Sequence, residues 1–220
     1  MPAARSASQP GSRARARTRA LLLDAALRVF ARKGAGAAAI HEVAAEAGVS
    51  NGTFYNYFRT REELLEAASL ALAERVIEES RSLSEGVVDP AERLAIGTRR
   101  FILRARQDPT WAAALLRLWA SSPLLAGFTA TPLRDDLRLG KRRRRLRYRS
   151  EAAAVDLVQG AVLAAMRTIL ERRAGPEHAD EAVALVLRAL GVDAAEADAI
   201  ARKPLPGEGG PTPPRRPAAA

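Results

Sequence analysis

The chain has 220 residues, a formal net charge of +10, 48% apolar residues and no cysteine. The lack of cysteine excludes disulfides, thiolate metal sites and a cysteine nucleophile, and the positive charge favours a polyanionic partner such as nucleic acid. We find no secretion signal and no apolar run approaching the roughly 18 residues of a membrane span. We therefore expect a soluble cytoplasmic protein that does not enter a membrane.

Residues 1–17 are predicted to form a disordered basic arm, because the segment is poor in apolar residues. It carries four arginines: Arg5, Arg13, Arg15 and Arg17. Two roles fit this pattern, an arm that follows DNA phosphates or enters the minor groove and a solvated tail that adds only nonspecific attraction. The first helix is expected to begin at a Thr18 N-cap and to end near Lys33.

Residues 40–65 have the pattern of a helix-turn-helix. The first helix shows apolar residues on one face, at Ile40, Val43, Ala44 and Ala47. Gly48 fits its C-terminus because glycine adopts positive φ without penalty. Ser50 is the expected N-cap of a second, short helix whose inward face is Phe54 and Phe58. In this motif the second helix lies in the major groove of DNA.

The same stretch resembles the DNA-binding domain of the TetR/AcrR family. The resemblance is carried by LLDAALRVFARKG over residues 22–34 and by Ala44, Gly48, Val49, Ser50, Gly52, Thr53, Tyr55, Tyr57, Phe58, Arg61, Glu63 and Leu64. It implies an all-α protein with an N-terminal three-helix helix-turn-helix domain and a C-terminal helical regulatory and dimerisation domain. With the helix signals, we expect about nine helices. Ala38 and Ala39 depart from the family, which usually has a capping threonine or serine there.

Nine residues are the candidates for contact with double-stranded DNA: His41, Ser50, Asn51, Gly52, Thr53, Tyr55, Asn56, Tyr57 and Arg61. The amide of Asn51 suits adenine, and Thr53 suits a thymine methyl group or a phosphate. The hydroxyls of Tyr55 and Tyr57 suit phosphates, although packing against the first motif helix is an alternative for Tyr57. Arg61 resembles the family's phosphate-contacting lysine.

Two patterns that imitate cofactor or metal sites lack the structural context they need. The GAGAAA run at residues 34–39 fits a dinucleotide-binding pattern by its letters, but it follows a predicted helix instead of a strand. His41 begins a zinc-protease-like sequence, but Ala45 stands where the second histidine ligand must be. His178 is the only other histidine. We therefore expect no metal and no cofactor, and we find no acid–base pair that supports an enzyme.

The domains are predicted at 18–64 for DNA binding and 65–200 for ligand binding and dimerisation. The candidates for lining an effector pocket are large apolar residues: Phe101, Trp111, Leu115, Trp119, Phe128 and Met166. The last two helices, residues 150–173 and 176–190, resemble the family's four-helix dimer interface. The candidates there are Val155, Val158, Val162, Met166, Val183 and Leu187. Ordinary core packing is the alternative for both sets.

The densest charge in the chain is Lys141 to Arg145, continued by Arg147 and Arg149. We predict a solvated, flexible loop, because runs of like charge repel one another. A second nucleic-acid surface, an anionic effector and an acidic partner are the alternatives. Residues 201–220 are predicted to form a disordered tail in which proline, glycine and alanine predominate.

The function that these patterns favour is a sequence-specific DNA-binding transcriptional regulator. It is expected to act as a repressor, to bind a palindromic operator as a homodimer and to be released by a small-molecule effector. The alternative is a nonspecific nucleic-acid-binding protein, which the net charge alone would support.

Overall fold

The computed structural model describes residues 10–34, 37–119 and 123–206, which form ten α-helices and no strand. The helices are α1 (Pro10–Lys33), α2 (Ile40–Glu46), α3 (Asn51–Tyr55), α4 (Arg61–Leu83), α5 (Pro90–Gln107), α6 (Pro109–Trp119), α7 (Pro123–Arg142), α8 (Glu151–Leu170), α9 (His178–Ala189) and α10 (Ala194–Ala201). The predicted all-α fold class is confirmed.

The described residues up to 75 and within 107–129 form the first of two compact units. Within it α1 packs against α2 and α6, and α2 packs against α3. Its largest fully buried side chains are Leu22, Phe30, Phe54, Phe58, Leu64, Leu72, Leu115, Leu118 and Leu125. The Nε1–H of buried Trp111 donates to the Leu72 carbonyl at 2.7 Å. The helix-turn-helix therefore shares a unit with α6, whereas the sequence predicted a division after residue 64.

The second unit is formed by residues 76–106 and 130–206 of the described chain. Its core is built from apolar residues of α5, α7, α8, α9 and α10, among them Leu94, Ile102, Leu137, Val155, Val158, Val183, Leu187 and Ile200. Arg99 forms an ion pair with Asp180 at 2.9 Å and donates to the Lys203 carbonyl. Leu205 is also buried. The predicted tail is thus ordered against this unit as far as residue 206, and residues 207–220 lie outside the described residues.

α1 begins at Pro10 and not at Thr18, so the basic arm is helical over the part that the structure describes. The Thr18 hydroxyl donates to the Ala14 carbonyl at 3.1 Å, as a residue inside a helix does. Alanine and arginine both have high helix propensity. Exposed residues such as Ala14, Arg15 and Ala16 therefore extend α1 towards the N-terminus. The beginning of the predicted arm, with Arg5, lies outside the described residues.

α8 is long and apolar enough to cross a membrane by length and composition, with a mean hydropathy of 1.5 over an 18-residue window. The prediction that no run approaches a membrane span missed this helix. Core helices meet the same criterion. Ala154, Val155, Val158 and Ala165 of α8 are buried in the core of the second unit.

The basic run forms an ordered corner between α7 and α8. α7 continues through Gly127 and Pro132, where the sequence predicted an interruption, and it ends at Arg142. Leu146 is 1% exposed, and Arg145 pairs with Asp89 at 2.9 Å and with Glu196 at 2.6 Å. The predicted solvation therefore fits Lys141 to Arg144, Arg147 and Arg149, which are exposed, but not Arg145, whose carboxylate partners lie far away in the sequence.

Candidate nucleic-acid interface

α2 and α3 form the predicted helix-turn-helix. The turn between them places Gly48 at φ +69°, a left-handed conformation that glycine adopts without strain. The Ser50 hydroxyl oxygen accepts the N–H of Thr53 at 3.1 Å and lies 3.0 Å from the Thr53 hydroxyl. The predicted N-cap is confirmed, and it fixes the first turn of α3.

Two phenylalanines anchor α3 to the first unit. Phe54 is fully buried and Phe58 is 1% exposed, and their ring centres lie 5.8 Å apart. Tyr55 sets its ring edge-to-face against Phe54 at 5.5 Å. Because α3 has only five residues, its internal hydrogen bonds are too few to hold it, and tertiary packing must do so.

The outer side of α3 carries most of the DNA-contact candidates. Ser50, Asn51, Gly52, Tyr55 and Asn56 are exposed. Thr53 and Tyr57 are half-buried, and His41 is exposed on α2. Tyr55 keeps 53% of its surface accessible despite its size. The structure therefore presents amide and hydroxyl groups around one short helix, the chemistry that reads base edges and phosphates.

Arg61 has a role that the sequence did not predict. It is half-buried, and its Nε–H donates to the Ala38 carbonyl at 2.9 Å. Its Nη2 is buried without a hydrogen-bond partner among the described residues. Arg61 therefore ties the start of α4 to the segment before α2.

The start of α2 replaces the family's usual cap with a carboxylate. Ala39 is the N-cap residue and has no side-chain acceptor. Instead, the Glu42 carboxylate accepts the N–H of Ala39 at 3.2 Å. Lys33 and then this N–H lower the pKa of Glu42, so the carboxylate stays ionised as an acceptor. One half of a capping box is therefore retained.

Ion pairs orient α2 on the end of α1. Glu46 accepts from Arg28 at 2.7 Å and from Arg32 at 2.6 Å, and Lys33 pairs with Glu42. The hydrogen bond from Arg28, followed by that from Arg32, lowers the pKa of Glu46. These pairs are partly exposed, so they contribute more to the orientation of the two helices than to stability.

Two arginines of α1 approach the helix-turn-helix: Arg15, which the sequence placed only in a basic arm, and Arg19, which it did not single out. Arg15 donates to the Asn56 carbonyl at 3.5 Å, and its guanidinium carbon lies 5.9 Å from the centre of the Tyr57 ring. Arg19 lies 5.4 Å from the centre of the Phe58 ring. The sequence signal was their four-residue spacing, which puts both on one face once the segment is helical.

The predicted dimer-interface residues are mostly core residues of their own chain. Five of the six are at most 3% exposed: Val155, Val158, Met166, Val183 and Leu187. Val162 is half-buried against the same core. The five expose almost no surface and pack in the core of their own chain, and their place in a dimer interface stays a prediction. The exposed large apolar residues of these helices are Leu157, at 39%, and Leu185, at 62%.

The predicted pocket residues are divided between the two units. Trp111, Leu115, Trp119 and Phe128 belong to the first unit, whereas Phe101 and Met166 belong to the second. Leu115 and Met166 are fully buried, and Phe128 is 38% exposed. Within the described ranges, no cluster of three or more histidine, aspartate or glutamate residues has metal-binding geometry.

α2, the turn at Gly48 and the short exposed helix α3, capped by Ser50 and anchored by Phe54, together form the helix-turn-helix typical of DNA-binding regulators. Two family models match the chain: bacterial regulatory proteins of the tetR family over residues 22–68, and the tetracyclin repressor-like C-terminal domain over residues 89–203. The chain belongs to the TetR family of bacterial transcriptional regulators.

Curated relatives match part of the chain. An uncharacterized HTH-type transcriptional regulator of Mycobacterium tuberculosis is 35% identical over 92 residues, which are 42% of this chain and 46% of that protein. The uncharacterized HTH-type transcriptional regulator YerO of Bacillus subtilis is 43% identical over 47 residues, 21% of this chain and 16% of YerO. The chain therefore spans less than half the length of these relatives.

Solved structures match over nearly their whole length. The crystal structure of RolR in complex with resorcinol has a TM-score of 0.68 and 31% identity, covering 89% of this chain and 98% of RolR. A TetR family regulator from Marinobacter aquaeolei has a TM-score of 0.71, covering 81% of this chain and 98% of that chain. Its identity is 20%, so it supports the fold alone.

Proposed function

We propose that the protein is a sequence-specific repressor that binds a palindromic operator as a homodimer and is released by a small-molecule effector. The observation that carries the proposal is the exposed polar face of α3 on an anchored, capped helix. One such helix contacts too few bases to select a site. Two copies related by a twofold axis select one when their α3 helices meet successive major grooves about 34 Å apart.

The residues around α3 divide into two proposed roles. Asn51 and Thr53 read base edges, while Ser50, Tyr55 and Tyr57 contact phosphates. Gly52 and Asn56 lie at the DNA backbone, and His41 approaches it from α2. Arg61 keeps its proposed phosphate contact through the accessible part of its half-buried side chain, because its Nη2 is buried and its Nε holds Ala38.

The helices α8 and α9 pack against each other in the second unit. Dimerisation is proposed through the faces of these two helices that stay exposed. Leu157 and Leu185 supply apolar surface there. Gly160 and Ala164 are exposed on α8 and are small enough for a second helix to approach closely. A twofold interface uses the same patch on both chains, so this surface meets its own copy.

The effector is proposed to be a small aromatic compound. RolR, at 31% identity, was crystallised with resorcinol, and the pocket candidates of the first unit include Trp119 and Phe128, whose rings suit an aromatic compound. The repressor leaves its operator if the effector binds more tightly to a conformation in which the two α3 helices are wrongly spaced for successive major grooves. A thermal-shift screen of small phenols tests this, with an increase in melting temperature as the supporting result.

A gel-shift assay with competitor DNA distinguishes a cytoplasmic sequence-specific regulator from a protein that binds any nucleic acid. The net charge of +10 is the observation that favours the nonspecific alternative. A regulator is expected to retain a palindromic site, identified by genomic footprinting, with a preference of about 10³-fold or more over random DNA. Release of the site by an equal mass of random competitor would overturn the proposal.

Replacing Asn51 by alanine is expected to relax base choice at one position in each half-site. The loss of a bidentate amide–adenine contact costs about 1–3 kcal/mol at that base pair. Binding to a panel of single-base operator variants measures it. Asn56→Ala is the matched control, because Asn56 is the only other asparagine and is also exposed. If both variants weaken all sites equally, Asn51 does not read a base.

A further inference from the structure

A cleft of about 420 Å³ lies at the corner between α7 and α8, within the second unit. It is lined by Arg138, Lys141, Arg142, Tyr148, Arg149 and Glu151. Four cations and one carboxylate give this lining a formal charge of +3 (4 − 1). A concave surface of one sign concentrates counter-ions, so the cleft favours an anionic ligand.

Only part of this charge is neutralised within the cleft. The Nε and Nη2 of Arg138 donate to the two oxygens of Glu151, each at 2.8 Å. This bond lowers the pKa of Glu151 and raises that of Arg138, which keeps both ionised. Lys141 lies 4.8 Å above the centre of the Tyr148 ring. Among residues 10–34, 37–119 and 123–206, no ion pair is formed by Lys141, Arg142 or Arg149.

Neighbouring cations of the same run are engaged elsewhere. Arg145 pairs with Asp89 and Glu196, and Arg143 donates to the Val88 carbonyl at 2.6 Å. The fold therefore supplies partners to these two arginines but leaves the cations of the cleft without a carboxylate of their own, apart from Arg138.

The fold also holds the cleft cations together against their repulsion. Gly140 has no room for a Cβ beside Leu146, which is buried. The Arg147 N–H donates to the Leu190 carbonyl at 2.7 Å. These contacts fix the turn that brings Arg149 back towards Arg142. Like charges fixed in this way repel, and a bound anion offsets that repulsion.

We propose that the cleft between α7 and α8 binds a small anion that carries a diphosphate group. Guanidinium groups match phosphate oxygens bidentately, and a diphosphate presents enough oxygens for Arg142, Arg149 and Lys141 together. Tyr148 adds a hydroxyl donor, since burial raises its pKa and keeps it protonated. The site uses no residue of the helix-turn-helix, so it does not depend on the proposed operator binding.

Calorimetric titration of the full chain with inorganic pyrophosphate, at constant ionic strength, tests the site. We expect saturable binding of one pyrophosphate per chain. The double variant Arg142→Gln and Arg149→Gln is expected to weaken it by about 10²-fold, since each charge-assisted hydrogen bond contributes roughly tenfold or more. The matched control is Arg144→Gln with Arg147→Gln, which removes the same charge from exposed positions outside the lining. It is expected to change the affinity by less than about threefold.

Three results would overturn the proposal. The first is a wild-type chain that shows no saturable binding. The second is an equal loss in both double variants, which would indicate general electrostatic attraction. The third is a duplex without an operator that displaces pyrophosphate and loses affinity only in the cleft variant, which would assign the site to nucleic-acid phosphates. Thermal unfolding of each variant, with a melting temperature within about 2 °C of wild type, shows that the fold is retained.

Discussion

Replacing Leu185 by glutamate is expected to convert the proposed dimer into monomers and to abolish operator binding. Leu185 is the most exposed large apolar residue of α9, at 62%, and lies on the proposed partner surface. A glutamate there loses apolar contact and places an unpaired charge in the interface, once in each chain because the interface is twofold. The dimer dissociation constant should rise by roughly 10³-fold or more. Sedimentation velocity and a gel shift measure the two effects.

Val88→Glu is the matched control for Leu185→Glu. Val88 is 73% exposed and lies in the loop before α5, so the same type of substitution there should leave the dimer intact. Surface changes of this kind usually alter stability by less than about 0.5 kcal/mol. A Leu185→Glu protein that remains dimeric would show that the chains meet through another surface.

Replacing Phe54 by alanine is expected to destabilise the first unit by about 3–5 kcal/mol, since it empties a large, fully buried site. The ring of Phe54 is 0% exposed and contacts both Tyr55 and Phe58. Its loss removes the main anchor of α3. Chemical denaturation should therefore show an early transition, and DNA binding should fail.

Tyr55→Ala separates loss of the fold from loss of a DNA contact. Tyr55 is adjacent to Phe54 but is 53% exposed, so its truncation should change the free energy of unfolding by no more than about 1 kcal/mol. It should nevertheless weaken binding to all DNA sequences if its hydroxyl contacts a phosphate. A Phe54→Ala protein with wild-type stability would mean that other contacts position α3.

The helix-turn-helix was predictable because its determinants are local. Gly48, Ser50 and the Phe54–Phe58 pair act within a few residues of one another, and turn chemistry and capping are readable at that range. The structure places each of them as the sequence predicted. The extension of α1 to Pro10 was not predictable from an apolar face, because residues 13–17 are exposed and only their helix propensity favours a helix there.

The buried and exposed faces of α8 and α9 were not predictable from periodicity. Both helices carry apolar residues on more than one side, and the pattern does not show which side packs within the chain. Val158 and Leu187 proved to be core, whereas Leu157 and Leu185 are exposed. The ion pairs of Arg145 were not predictable either, because its partners Asp89 and Glu196 lie more than fifty residues away in the sequence.

The chain passes through α5 before it supplies α6 to the first unit. A fragment that ends at residue 75 would therefore lack Trp111, Leu115 and Leu118, and the face of α1 that packs on α6 would be open to water. Hybrid regulators that graft a foreign DNA-reading segment at residue 65 must consequently preserve the match between α1 and α6. Exchanging operator specificity within this scaffold is better done by substitutions on α3 than by exchange of whole segments.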